Sequence, residues 1–270
     1  MEPRNPQLAF DFDAYRPAEI AARVETAGLA KIRQPLPAML MLSVLAGAYI
    51  SFGAVFYTIA VTGSGLGWGP TRLLGGVAFS LGLILVIVAG AELFTGNALI
   101  VIARAERKIT TAQLLRNWTI VYLGNLVGAL GTAVLVVLSG IDELDGGAVG
   151  RQAAAIAAAK LELGVAEAFF RGVLCNVLVC LAVWLSYAGR SVADKVLAII
   201  FPIAAFVGAG FEHSVANMYA IPVAMIAGLV PPDMVALLRN LPPVTAGNMV
   251  GGGLLVGLVY WAVYIRGAHR

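Results

Sequence analysis

Short polar stretches interrupt an otherwise apolar chain, and their residue types repeat. Gly90-Ala91-Glu92 is followed by Asn97, and Gly210-Phe211-Glu212 by Asn217. Both read Gly-x-Glu-x-x-x-x-Asn. The apolar segment after each carries Gly-Asn-x-Val-Gly, at Gly124–Gly128 and again at Gly247–Gly251. Within the first pair of motifs, Thr95-Gly96-Asn97 and Glu212-His213-Ser214 sit in the middle of long apolar runs. Polar backbone at membrane depth persists only when buried in protein or lining a cavity. A helix broken there presents free N–H groups and a positive dipole end, which suits an anion. His213 and His269 are the only histidines, and His269 is in the tail. A histidine inside a membrane helix is expensive and faces an interior or cavity, so His213 is expected to line a pore. Glu92 and Glu212 are expected to cap the restarting half-helices, with substrate contact as the alternative. Asn125 and Asn248 need hydrogen-bond partners and are expected to fix the broken loops. Asn248 is also a candidate for contact with substrate. His213 beside Ser214 superficially suggests hydrolase chemistry, but adjacent residues rarely aim at each other as base and nucleophile. No enzymatic activity is expected.

The elements that must position these residues follow from composition. The chain has 270 residues, 60% of them apolar, with a mean hydropathy of +0.89 and only 12% charged. A typical soluble domain carries about 25% charge, so this chain is a membrane protein. Candidate spans run over 38–61, 73–102, 117–139, 163–187, 195–227 and 243–265. The second and fifth contain the interruptions. Residues 1–34 read as a polar segment ending in a short helix at 17–33, with Ile20, Val24 and Ala27 on one face, lying on the membrane surface. Residues 35–266 form the membrane domain and 267–270 a tail. Trp68, Trp118, Trp184 and Trp261 fall near span ends, as in an interfacial belt. No cleavable signal is visible in the polar start. Cys175 and Cys180 lie in an apolar segment and read as core packing. The net charge of +3 with no basic run excludes nucleic acid as a partner. Neither a cofactor nor a metal site is expected.

Of 18 basic residues, 13 fall on the side of the N-terminus and four, Arg72, Arg151, Lys160 and Arg239, on the other, with Arg171 inside a span. That bias places both termini in the cytoplasm. Each half has three spans, so the second half starts from the opposite side. The repeat is therefore inverted, as in many transporters and channels. The fold class is all-α: six membrane helices in two inverted three-helix repeats, the second and fifth broken.

The stretches 90–95 (GAELFT), 175–184 (CNVLVCLAVW), 211–218 (FEHSVANM) and 244–248 (VTAGN) resemble the formate–nitrite transporter family. The resemblance covers about residues 15–266. It implies an aquaporin-like subunit, assembly as a homopentamer with one pore per subunit, and a bacterial inner-membrane location. It implies His213 as the central histidine with Thr95 as its partner, and Asn176 as a pore-lining asparagine. Phe94 resembles an outer constriction residue, and Leu93 lies beside it on the same loop. Phe79, Leu83 and Phe206 resemble the remaining constriction residues. Lys160 looks like the vestibule lysine that draws anions in. Glu92, Glu212, Asn97 and Asn217 read as loop anchors. The segments 79–85 and 186–190 and the pair Asp194-Lys195 look like the formate channel, whereas 171–175, beginning at Arg171, looks more like the nitrite channel. The expected substrate is formate, passing with protons; nitrite, hydrosulfide, acetate, lactate or a neutral solute are the alternatives.

Overall fold

The structure, a computed structural model, describes residues 13–266; Arg4, His269 and Arg270 lie outside the described residues. Every regular element described is helical. α1 (Pro17–Arg33) precedes α2 (Leu36–Val61) and α3 (Trp68–Ile84), which runs on as a π-helical turn, Leu85–Gly90. After a break, a 3-10 turn (Gly96–Ile100) leads into α4 (Val101–Ala105) and the long α5 (Thr111–Leu138). The second half repeats the plan: α6 (Leu144–Leu161), α7 (Val165–Ser186), α8 (Val192–Ala209), a break, α9 (Ser214–Ile226) and α10 (Met234–Met249). α10 continues through a π-helical stretch (Val250–Leu258) into α11 (Val259–Tyr264). Among the described residues, six helical stretches are long and apolar enough to cross a membrane.

Local chemistry sets the ends. Thr110 and Gln113 form a reciprocal capping box that starts α5, and Ser191 with Asp194 does the same for α8. Both broken helices stop at a glycine with positive φ, Gly90 at 89° and Gly210 at 76°. Only glycine takes that conformation at little cost, so the chain leaves the helix there.

The halves match bond for bond. Glu92 N–H donates to Leu42 O, and Glu212 N–H to Arg171 O. Asn97 N–H donates to Leu93 O, and Asn217 N–H to His213 O. α2 packs along α5, and α7 along α10. Small residues allow the approach. A Cβ on Gly128 would strike Val44 O, and one on Gly251 would strike Val173 O.

Two expectations change. α1 packs on the body rather than lying free on a membrane surface: Ile20, Ala21, Val24 and Gly28 are buried, and Gly28 faces the backbone of Ile100. Its apolar face is matched by the 3-10 turn and α4, so protein covers it instead of lipid. The tryptophans do not form one belt. Trp68 is exposed, but Trp184 is buried against Tyr260, and Trp118 donates to Asn97 O.

Candidate functional site

The two breaks meet at His213. Its Nδ1 accepts the backbone N–H of Ala216 at 3.1 Å, so the imidazole itself caps α9. A nitrogen that accepts carries no proton, which puts the single proton of the neutral ring on Nε2. Nε2 lies 2.8 Å from Thr95 Oγ1, on the loop of the other repeat. The ring of Phe206 stacks against His213 with centroids 6.1 Å apart, and Phe79 meets Phe206 edge-on at 5.7 Å. These three rings form the floor of a cavity of about 340 Å³ whose wall includes Lys160, Arg72, Arg171 and Tyr219. A second cavity of about 50 Å³ opens toward α1, lined by Leu83, Leu93, Lys31 and Asn97. Apolar side chains thus stand on both sides of the histidine.

The glutamates do not cap, contrary to expectation. Glu212 accepts both Lys160 Nζ bonds, at 2.9 and 3.1 Å, and Asn217 Nδ2 at 2.6 Å. Glu92 accepts Lys31 Nζ at 3.0 Å and Asn97 Nδ2 at 2.8 Å. Each carboxylate is buried and is held by a lysine and an asparagine side chain instead of by the free backbone N–H groups of its half-helix. Asn117 and Asn240, which the sequence reading missed, complete the anchors: Asn97 donates to Asn117 at 3.0 Å and Asn217 to Asn240 at 2.8 Å. A signal existed. Asn117 precedes Asn125, and Asn240 precedes Asn248, by the same eight residues, two helical turns on one face.

Asn125 accepts Phe94 N–H at 2.9 Å and donates to Ser43 O and Glu92 O. Asn248 is its counterpart, accepting Ser214 N–H at 2.9 Å and donating to Gly172 O and Glu212 O. Its amide is spent on backbone, so the structure places Asn248 among the anchors and not on a pore wall. Asn176 is likewise buried between the loops, donating to Thr95 O at 3.2 Å and Asn248 O at 2.6 Å, and it faces neither cavity. Phe94 is not on the outer wall. Its N–H is tied to α5 through Asn125, and its ring packs on Tyr122 of the same helix, centroids 4.8 Å apart. Lys160 does line the larger cavity, yet its charge is paired with Glu212. Thr95 is fully buried beneath His213.

Two inverted repeats whose broken helices meet at a polar centre, with a cavity and apolar side chains on either side, define a membrane channel. A profile described as "Formate/nitrite transporter" matches residues 18–262. The chain is 44% identical to the formate channel FocA of Escherichia coli (strain K12), covering 94% of this chain and 96% of that one. It is 39% identical to the formate channel BtFdhC of Bacillus thuringiensis, over 93% of this chain and 96% of that one. A solved pentameric formate channel with formate bound superposes with a TM-score of 0.79 at 41% identity, covering 90% of this chain and 99% of that chain. An aquaglyceroporin from Plasmodium falciparum shares the fold alone, with a TM-score of 0.54 at 14% identity, over 83% of this chain and 99% of that one. The chain belongs to the formate/nitrite transporter family.

Proposed function

We propose that this protein is a channel for formate, working as a homopentamer in a bacterial inner membrane with both termini in the cytoplasm. The observation that carries the mechanism is the bonding of His213, with Nδ1 committed to Ala216 and Nε2 to Thr95.

A naked carboxylate crosses an apolar constriction poorly, because desolvating it costs several kcal/mol or more. An acid with a pKa near 4 is neutral in only about one molecule in a thousand at pH 7. Something must therefore meet the anion between the two apolar sections. The Thr95–His213 pair supplies hydrogen at that point: Nε2–H or the threonine hydroxyl turns toward an arriving carboxylate. A neutral imidazole cannot surrender its one N–H proton without becoming an imidazolate. A second proton on Nδ1 would displace the bond that caps α9. Net protonation of the anion therefore takes its proton from hydronium or water in the outer cavity, any hydroxide left behind returning to the outside solution, while the pair donates a hydrogen bond and gives up no net proton. Neutral acid then passes Leu83 and Leu93. Lys160, held by Glu212, contributes positive potential to the wall without leaving it.

Flux assays in proteoliposomes with formate, nitrite, hydrosulfide, acetate, lactate and glycerol test this reading. Formate is expected to pass fastest among the carboxylates, accelerated by external acid. Passage of glycerol with no anion flux would overturn the proposal.

A further inference from the structure

The outer cavity carries two arginines that the breaks do not require. Arg72, on the first turns of α3, and Arg171, on α7, line the wall together with Lys160. Arg72 donates from Nε to Gly208 O and from Nη2 to Val207 O, each at 2.9 Å. Arg171 donates from Nη1 to Gly210 O at 3.2 Å and from Nη2 to Glu167. The two guanidiniums converge on Gly210, where a Cβ would lie 3.0 Å from Arg72 Nη2 and 3.7 Å from Arg171 Nη1.

One role is plain: the carbonyls of Val207, Gly208 and Gly210 lie at the negative end of α8, and the arginines supply donors to them. The inverted repeat shows that this role does not demand arginine. Leu42 holds the place of Arg171, since its carbonyl receives Glu92 N–H as that of Arg171 receives Glu212 N–H. At the 120-residue offset of the Glu and Asn motifs, Val192 holds the place of Arg72. Neither counterpart is basic, so the arginine pair belongs to the second break only.

The cations of that wall are matched by acids, so unspent donors rather than net charge set these arginines apart. Lys160 is paired with Glu212 and Arg171 with Glu167, and Asp142 is the other acid on the wall. Arg72 has no carboxylate partner among the described residues. A guanidinium has five N–H donors, and each of these arginines spends only two bonds as described. The planar fork that remains matches the two oxygens of a carboxylate or of nitrite.

We propose that Arg72 and Arg171 form an anion subsite in the outer cavity, ahead of Phe206 and His213, for a small planar oxyanion. The proposal rests on the reading of the chain as an anion channel. The subsite raises anion occupancy before the apolar section when external concentration is low.

Influx into oriented proteoliposomes, with formate and separately with nitrite, tests it in wild type, Arg171→Gln and Arg171→Lys at low and high ionic strength. Arg171→Gln is expected to raise the half-saturating external anion concentration about three- to tenfold at low salt, by a larger factor than any fall in maximal rate, and less at high salt. Arg171→Lys, which keeps the charge but not the planar fork, restores only part of the shift. An unchanged half-saturation at both salt concentrations, or a fall in maximal rate alone with the oligomer intact, overturns the subsite. If wild type passes nitrite but not formate, the formate reading fails. The same shift, read on nitrite, then still supports the subsite. Passage of neither anion overturns both.

Discussion

His213 is a cap, a hydrogen-bond donor and a cavity floor at once, and each duty uses a different part of the ring. Nδ1 holds the first turn of α9, Nε2 holds Thr95, and the face stacks on Phe206. His213→Ala therefore removes the donor at the meeting point while an end of α9 frays locally. We expect formate flux in this variant to lose its wild-type dependence on external pH, with a larger share carried as anion, and the assembly to persist. Flux measured from pH 5 to 8 checks this; an unaltered profile in a well-expressed variant removes His213 from the path. The asparagine pair makes a separate forecast. Asn125 and Asn248 each close three buried bonds to backbone. Truncation leaves buried N–H and C=O groups without partners, at roughly 1–3 kcal/mol per group. Asn125→Ala and Asn248→Ala should both lower the melting temperature in detergent markedly, by similar amounts, because the repeat gives them one job. A loss confined to transport, with stability kept, would return Asn248 to the pore wall. Those roles were half legible in sequence. The glycines beside each asparagine marked a tight helix contact. What the side-chain oxygen would bind was fixed only by the turn of loops 91–95 and 210–213, which no periodicity encodes.

The breaks depend on elements that sequence reveals unevenly. The Gly-x-Glu-x-x-x-x-Asn motifs exposed both interruptions, because glycine and buried polar residues stand out against an apolar run. The lysines that hold the glutamates did not. Lys31 comes from α1 and Lys160 from α6, at separations of 61 and 52 residues from their partners. Unequal spacing hides them from any repeat search. The side chain alternation of the first loop was equally hidden: Leu93 turns to the inner cavity, while Phe94 turns to α5. The ring pair expected to form the outer gate is therefore Phe79 on α3 against Phe206 on α8. Bulky apolar rings exclude hydrated ions at such a contact. Phe79→Ala or Phe206→Ala should raise the leak of larger or charged solutes, read as entry of lactate or chloride into liposomes. Phe94→Ala should instead loosen packing against Tyr122 and leave the leak near wild type. A leak raised by Phe94→Ala alone would reverse this assignment.

At the scale of the whole molecule, inversion makes a geometric demand that can be checked without substrate. α5 has 28 residues, so at 1.5 Å per residue it is roughly 42 Å long, against a hydrocarbon thickness of about 30 Å. Its two ends must therefore emerge on opposite sides. Arg116 is exposed one turn inside the first end, and Asp145 is exposed just beyond the second, in the non-helical opening turn of α6. α1 packs against α11, which sets the two ends of the described chain on one face. Most of the basic residues among the described ones belong to segments at that face, so it is the side expected to remain in the cytoplasm. Replacing Cys175 and Cys180 removes the two native thiols, both buried. In that background, Asp145→Cys should react with a membrane-impermeant maleimide on intact spheroplasts, and Arg116→Cys only after permeabilisation. The acidic cluster of Asp142, Glu143 and Asp145 then faces the outside beside the mouth lined by Lys160 and Arg171, where it offsets part of the positive potential. Labelling of both positions from the same side would show that α5 does not cross, and the inverted arrangement of the halves would fall with it.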